Sequence, residues 1–138
     1  MVEIRPVLSS DVHMFWPEVA PLLQKAIDRG QGEIDLDICF EELINQERSL
    51  WIVTQNGSII AAITTRIEEY KTGKRHAIID LAGGNGFQKW SMFTDYISPF
   101  YFMMGCDMLI IAGRLGWLRL HTDKEFKPLY HVIGKKLG

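Results

Sequence analysis

Gly83-Gly84-Asn85-Gly86 is the segment of this chain best suited to chemistry without a charged side chain. Glycines let backbone N–H groups turn toward a guest. A helix opening near Phe87 would add the positive end of its dipole, so the segment predicts an anion site of the kind that holds phosphate. Lys89 falls in the first turn of that helix and adds a cation. The same spacing also serves a plain strand-to-helix turn, in which glycine is used for backbone freedom alone. Metal chemistry is not indicated. His13, His76, His121 and His131 show no paired ligand spacing, and Cys39 and Cys106 belong to no Cys-x-x-Cys. Both cysteines sit in apolar runs and read as buried structural thiols.

The elements that must position this segment follow from periodicity. Val2–Val7 alternates, and Pro6, lacking a donor, requires that strand to sit at a sheet edge or to stop there. A helical pattern follows through Phe15, Val19, Leu22, Leu23 and Ala26, with Pro17 and Pro21 expected to break it into two pieces. Asp35 or Asp37 can cap a second helix that turns Ile38, Phe40, Leu43 and Ile44 to the core. Leu50–Thr54, Ser58–Glu69 and Arg75–Leu81 read as a three-stranded antiparallel meander, and Asn56-Gly57 is a strong hairpin signal between the first two. A helix is expected over Phe87–Met104, kinked or stopped early at Pro99 and closed by Gly105. Asp107–Ala112 reads as a strand buried on both faces, Trp117–Lys124 as a short helix and Leu129–Ile133 as a last strand. A parallel strand–helix–strand unit over 75–112 puts any site at the carboxyl ends of its strands.

Composition bounds the class. The 138 residues suffice for one domain, 1–138, with no linker or repeat, and 47% hydrophobic content excludes intrinsic disorder. The longest apolar runs, Ile97–Met104 and Met108–Ala112, fall short of the ~20 residues a spanning helix needs. No basic flank leads into an apolar stretch at the N-terminus, and two separated cysteines exclude a disulfide scaffold, so a cytoplasmic protein is expected. The net charge of −2 gives no pull toward nucleic acid. It is unevenly spread: −6 over residues 1–48, zero over 49–112 and +4 over 113–138, which either solvates two faces or brings a basic end near an anionic ligand.

Ile4-Arg5-Pro6-Val7 with Ser10-Asp11, the order of elements, and the glycine segment together resemble the GCN5-related N-acetyltransferase (GNAT) superfamily. That resemblance implies a mixed α/β (α+β) fold, an antiparallel N-terminal meander joined to a parallel strand–helix–strand unit. It implies acetyl-CoA as cosubstrate, its pyrophosphate held by Leu81-Ala82-Gly83-Gly84-Asn85-Gly86, where the superfamily usually shows Gln/Arg-x-x-Gly-x-Gly/Ala. Gly84 and Gly86 match that pattern, and Leu81 replaces its polar first residue. His121 stands where the superfamily's acid Tyr is expected, ahead of Phe126, and would protonate the departing thiolate. Its plain reading is a helix-surface histidine. Asp80, ahead of His76 on the same run, would act as general base through water, or else cap the loop, and Glu68 and Glu69 on the neighbouring run would line an acceptor site or face water. Arg114 would meet a coenzyme phosphate through its guanidinium fork, or anchor the Gly113–Gly116 turn by an ion pair. Trp90 and Trp117 read as packing groups.

Gly83-Gly84, Trp90, Gly105-Cys106-Asp107, Gly113-Arg114-Leu115-Gly116-Trp117 and the closing Gly134-Lys135-Lys136-Leu137 are similar to a narrower group, small GNAT-like proteins of tailed phages, with a shortened C-terminus. Two functions follow. One is N-acyl transfer from an acyl-CoA to an unknown amine. The other is a catalytically inactive phage structural, assembly or interaction module whose partners are phage or host proteins, with virion association.

Overall fold

The computed structural model describes residues 1–113 and 126–138. Among the described residues, five strands form one sheet in the order β1-β2-β3-β4-β5: β1 Val2–Val7, β2 Ser49–Gln55, β3 Ser58–Glu69, β4 Arg75–Gly84 and β5 Met108–Ile111. Neighbours are antiparallel except β4 and β5, which run parallel. Helices α1 (Val12–Ile27) and α2 (Leu36–Ile44) cover one face, and α3 (Phe93–Met103) covers the other.

The interior strand β2 shows why both faces are covered. Leu50 and Ile52 enter the core beneath α1 and α2, while Trp51 and Val53 enter the core beneath α3, and all four are buried. The hairpin forms at Asn56-Gly57, both at positive φ, as the right-handed twist of the flanking strands requires. The edge position of β1 agrees with Pro6.

Four local expectations need correction. Pro17 and Pro21 do not divide α1, which is continuous. They lie four residues apart on its exposed side, where water can satisfy the carbonyls they leave unpaired, while Val19, Leu22 and Leu23 anchor the opposite face. In α2 the core residues are Cys39 and Leu43, with Ile38 and Ile44 turned outward. The Asp35 carboxylate accepts from the Ile38 amide at 2.8 Å and fixes that helical phase. The strand after α3 is half-buried, and an edge among the described strands, rather than one buried on both faces. Leu129–Ile133 forms no strand: no described strand borders it, and Val132 and Ile133 are exposed. A β run without a partner has neither ladder bonds nor burial to hold it.

The segment after β4 also departs from expectation. Phe87–Lys89 is a single 3-10 turn, and α3 begins only at Phe93. The Lys89 and Trp90 amides donate to the Gly86 and Phe87 carbonyls, bonds to the third residue back that do not propagate an α-helix. Trp90 is buried and its indole N–H donates to the Asn85 carbonyl at 3.0 Å, which pulls the chain inward there. α3 runs past Pro99 and closes on Gly105, with the Gly105 and Cys106 amides bonded to the Phe102 and Tyr101 carbonyls. No helix among the described residues is long and apolar enough to cross a membrane.

Candidate functional site

β4 is the element on which the site is built. It pairs with β5 only from His76 to Ile79, and the last link is the Ala112 amide donating to the Ile79 carbonyl. β4 then continues through Asp80, Leu81, Ala82, Gly83 and Gly84, where no described residue pairs with its outer edge. Asp80 is the residue at which the register against β3 slips: Ile79 faces Thr65, and Leu81 faces Thr64. It is therefore the extra residue of a bulge, a feature that bends the strand carrying it.

Beyond the bulge the ladder decides which backbone groups face outward. The Asn85 amide donates to the Ile60 carbonyl at 2.9 Å. Bonded and non-bonded pairs alternate along antiparallel strands, so Leu81, Gly83 and Asn85 turn their N–H groups toward β3. Ala82 and Gly84 present theirs on the free edge. The expected loop of converging amides is thus a strand edge with alternate amides outward, followed by a turn at Gly86, which has φ +62°.

Gly83 and Gly84 owe their identity to close packing. A Cβ on Gly83 would lie 2.0 Å from the Leu22 carbonyl oxygen of α1, and one on Gly84 would lie 2.5 Å from Ala61 Cβ. Leu81 is buried in the core beneath α1, so its side chain is withdrawn from any ligand. The close crossing of α1 over Gly83 delivers Lys25, whose ammonium donates to Asn85 Oδ1 at 3.0 Å. The stem of Lys89 lies against Gly86, and its ammonium donates to Gln55 Oε1 at 3.3 Å. Two cations thus flank the Asn85-Gly86 turn. Lys25 is 60 residues from Asn85, and no sequence signal singles it out.

Asp80 is held by three side chains. Its Oδ1 accepts from Arg48 Nη1 at 2.5 Å and from Thr64 Oγ1 at 2.9 Å, and its Oδ2 accepts from Arg66 Nε at 3.3 Å. Arg48 also donates to Glu42 Oε1 at 3.1 Å and to Thr64 Oγ1 at 3.1 Å. Burial works against the Arg48 charge. The Asp80 carboxylate, by charge and hydrogen bond, and Glu42 outweigh that and hold the guanidinium above its ordinary pKa. Arg48 is a second residue of the site area that sequence reasoning misses.

His76 is the second residue of β4, at the end opposite the Gly86 turn and edge-on to Tyr70, and is not part of this constellation. Glu68 and Glu69 lie beside it, paired with Arg66 and Arg75. Arg114, Trp117 and His121 lie outside the described residues. Among the described residues, no three His, Cys, Asp or Glu side chains converge as a metal site.

No family model matches the chain, and no curated protein matches it. Solved structures do. A ribosomal-protein-alanine N-acetyltransferase from Brucella melitensis biovar Abortus superposes with a TM-score of 0.73 at 14% identity over 100% of both chains. A GCN5-related N-acetyltransferase from Ralstonia eutropha gives 0.69 at 12% identity, again over 100% of both. A predicted acetyltransferase with acetyl-CoA from Clostridium acetobutylicum gives 0.67 at 15% identity, over 99% of this chain and 96% of that one. At such identities the likeness shows the fold: a mixed α/β domain of the GNAT type.

Proposed function

We propose that this protein binds an acyl-CoA, acetyl-CoA foremost, and transfers its acyl group to an amine. The free edge of β4 carries the reading. Five residues beyond the last β5 pairing offer roughly 16 Å of extended backbone. Ala82 and Gly84 can pair there with the amide-bearing arm of the coenzyme, as a peptide strand adds to a sheet edge. The pyrophosphate would sit at the Gly86 turn, with Lys25 and Lys89 as counter-charges, and Arg114 completes the phosphate contacts in this reading.

Transfer needs a neutral amine held against the thioester carbonyl. The nitrogen lone pair forms the C–N bond, the C–S bond breaks, and the sulfur leaves with its electron pair. Asp80, the one carboxylate on β4, takes the amine proton through a water molecule, and His121 returns a proton to the thiolate. Most of the rate would come from orientation on the rigid edge.

Side chains exposed on α3, Phe102 at 77% and Met103 at 82%, favour a second reading: a GNAT-fold phage-type assembly or interaction module without catalysis. Thermal melting separates the two. Acetyl-CoA at 100 times its dissociation constant is expected to stabilise the fold by about 2.7 kcal/mol. No shift at millimolar coenzyme overturns the transferase reading. Where the shift is present, Asp80→Asn is expected to lower kcat by about 10²-fold or more. An unchanged kcat removes Asp80 from the chemistry.

A further inference from the structure

The proposed reaction asks of Asp80 only a carboxylate, yet the protein surrounds it with a buried network. Arg48 is 7% exposed, and it reaches from the connection between α2 and β2 to Glu42 on α2, Thr64 on β3 and Asp80 on β4. Burying a guanidinium is costly, and replacing such a pair with apolar residues is often neutral for stability, so fixing one geometry is the use to look for. The geometry at stake is visible. Asp80 is the bulge residue, and it directly follows Ile79, the last β4 residue paired with β5. The place where Arg48 grips is the place where β4 leaves its neighbour.

We infer that Arg48 is a positioning residue: by holding Asp80 it fixes the bulge in β4 and thereby keeps the backbone groups of Ala82 and Gly84 on the open edge. The functional consequence rests on the proposed coenzyme binding, whereas the structural consequence does not. Without the bulge, the register from Leu81 onward slips by one residue against β3. A slip of one exchanges which amides are bonded and which face outward. The packing of Gly83 under α1 and of Gly84 against Ala61 would be disturbed by the same slip.

Amide hydrogen exchange on the whole chain, read residue by residue, tests this. In the wild type, Gly83 and Asn85 are expected to be protected and Ala82 and Gly84 to exchange freely. In Arg48→Met that contrast is expected to fall at least tenfold, while amides between β2 and β3 keep their wild-type protection. A folded Arg48→Met with the contrast intact overturns the inference, and so does a loss spread evenly over the whole sheet. Should Arg48→Met not fold, Asp80→Ala removes the carboxylate that Arg48 grips and leaves Arg48 bonded to Glu42 and Thr64. It is expected to reduce the contrast about threefold, and an unchanged contrast there is equally fatal. Calorimetry with acetyl-CoA adds the functional arm: binding at least tenfold weaker in Arg48→Met, and partly restored in Arg48→Lys. A wild type that shows the exchange pattern but binds no acetyl-CoA overturns the proposed function alone. Wild-type affinity in Arg48→Met, with the contrast lost, overturns the link between the bulge and the coenzyme.

Discussion

Replacing Gly83 by Ala adds one methyl group where a described glycine lies hard against helix backbone. The new Cβ would lie 2.0 Å from the Leu22 carbonyl oxygen, about 1.4 Å short of the 3.4 Å at which ordinary contact begins, and 3.7 Å from the Ala26 amide nitrogen. Both neighbours are helix backbone, which cannot swing aside as a side chain can. α1 is in turn pinned by Val19, Leu22 and Leu23, all in the core. Overpacking of this kind costs about 1–3 kcal/mol, and the rigid neighbour argues for the upper end. With about 3 °C of melting temperature per kcal/mol for a chain of this length, the expected fall is roughly 10 °C. Gly86→Ala is the control. Its Cβ would meet nothing nearer than Lys89 Cδ at 3.4 Å, leaving only the strain of φ +62°, about 1 kcal/mol or some 3 °C. Thermal and urea unfolding followed by circular dichroism measure both. If Gly83→Ala melts with the wild type, or Gly86→Ala proves the worse of the two, the close-approach argument fails.

Two further outcomes are expected. Burial raises the Cys39 thiol from 9.0 to about 11, more than the Arg48 charge lowers it. The unfolded thiol therefore loses its proton first, and the contribution present below pH 9 is lost as pH rises toward 11. Urea unfolding at pH 8 and pH 10.5 is expected to show a drop smaller by up to about 2 kcal/mol in Cys39→Ala than in the wild type, and equal drops would contradict the assignment. Trp90→Phe keeps a ring in the core but removes the indole donor from the Asn85 carbonyl, so a loss of about 1 kcal/mol in urea unfolding is expected. No loss would mean that this bond does not hold the turn carrying Gly86.

Much of the frame was readable because it is local. Asn56-Gly57 announces a hairpin through its tolerance of positive φ, and the bounds expected for the second meander strand, Ser58–Glu69, are those of β3. Asp35 announces the start of α2, and Gly105 the end of α3. The site was readable to the extent that it is contiguous: Asp80 through Gly86 lie in one run on β4 and the turn after it. What such reading mistook was the reason for the glycines, because a close crossing by α1 and a flexible loop ask for the same residue. It also extended a helix back to Phe87, since the spacing of Phe87, Trp90 and Phe93 is helical whether a helix or a buried turn uses it.

Composition, hydrophobic period and turn residues were enough for a mixed sheet with a chemically suggestive segment after its fourth strand, since each of those signals acts over a few neighbouring residues. Packing across the chain was needed for the rest. It placed Lys25 against Asn85, carried Arg48 across 32 residues to Asp80, and parted β4 from β5 one residue before the bulge. Contacts between distant residues have no period or spacing in the chain to betray them, because they exist only once helices and strands have been laid against one another.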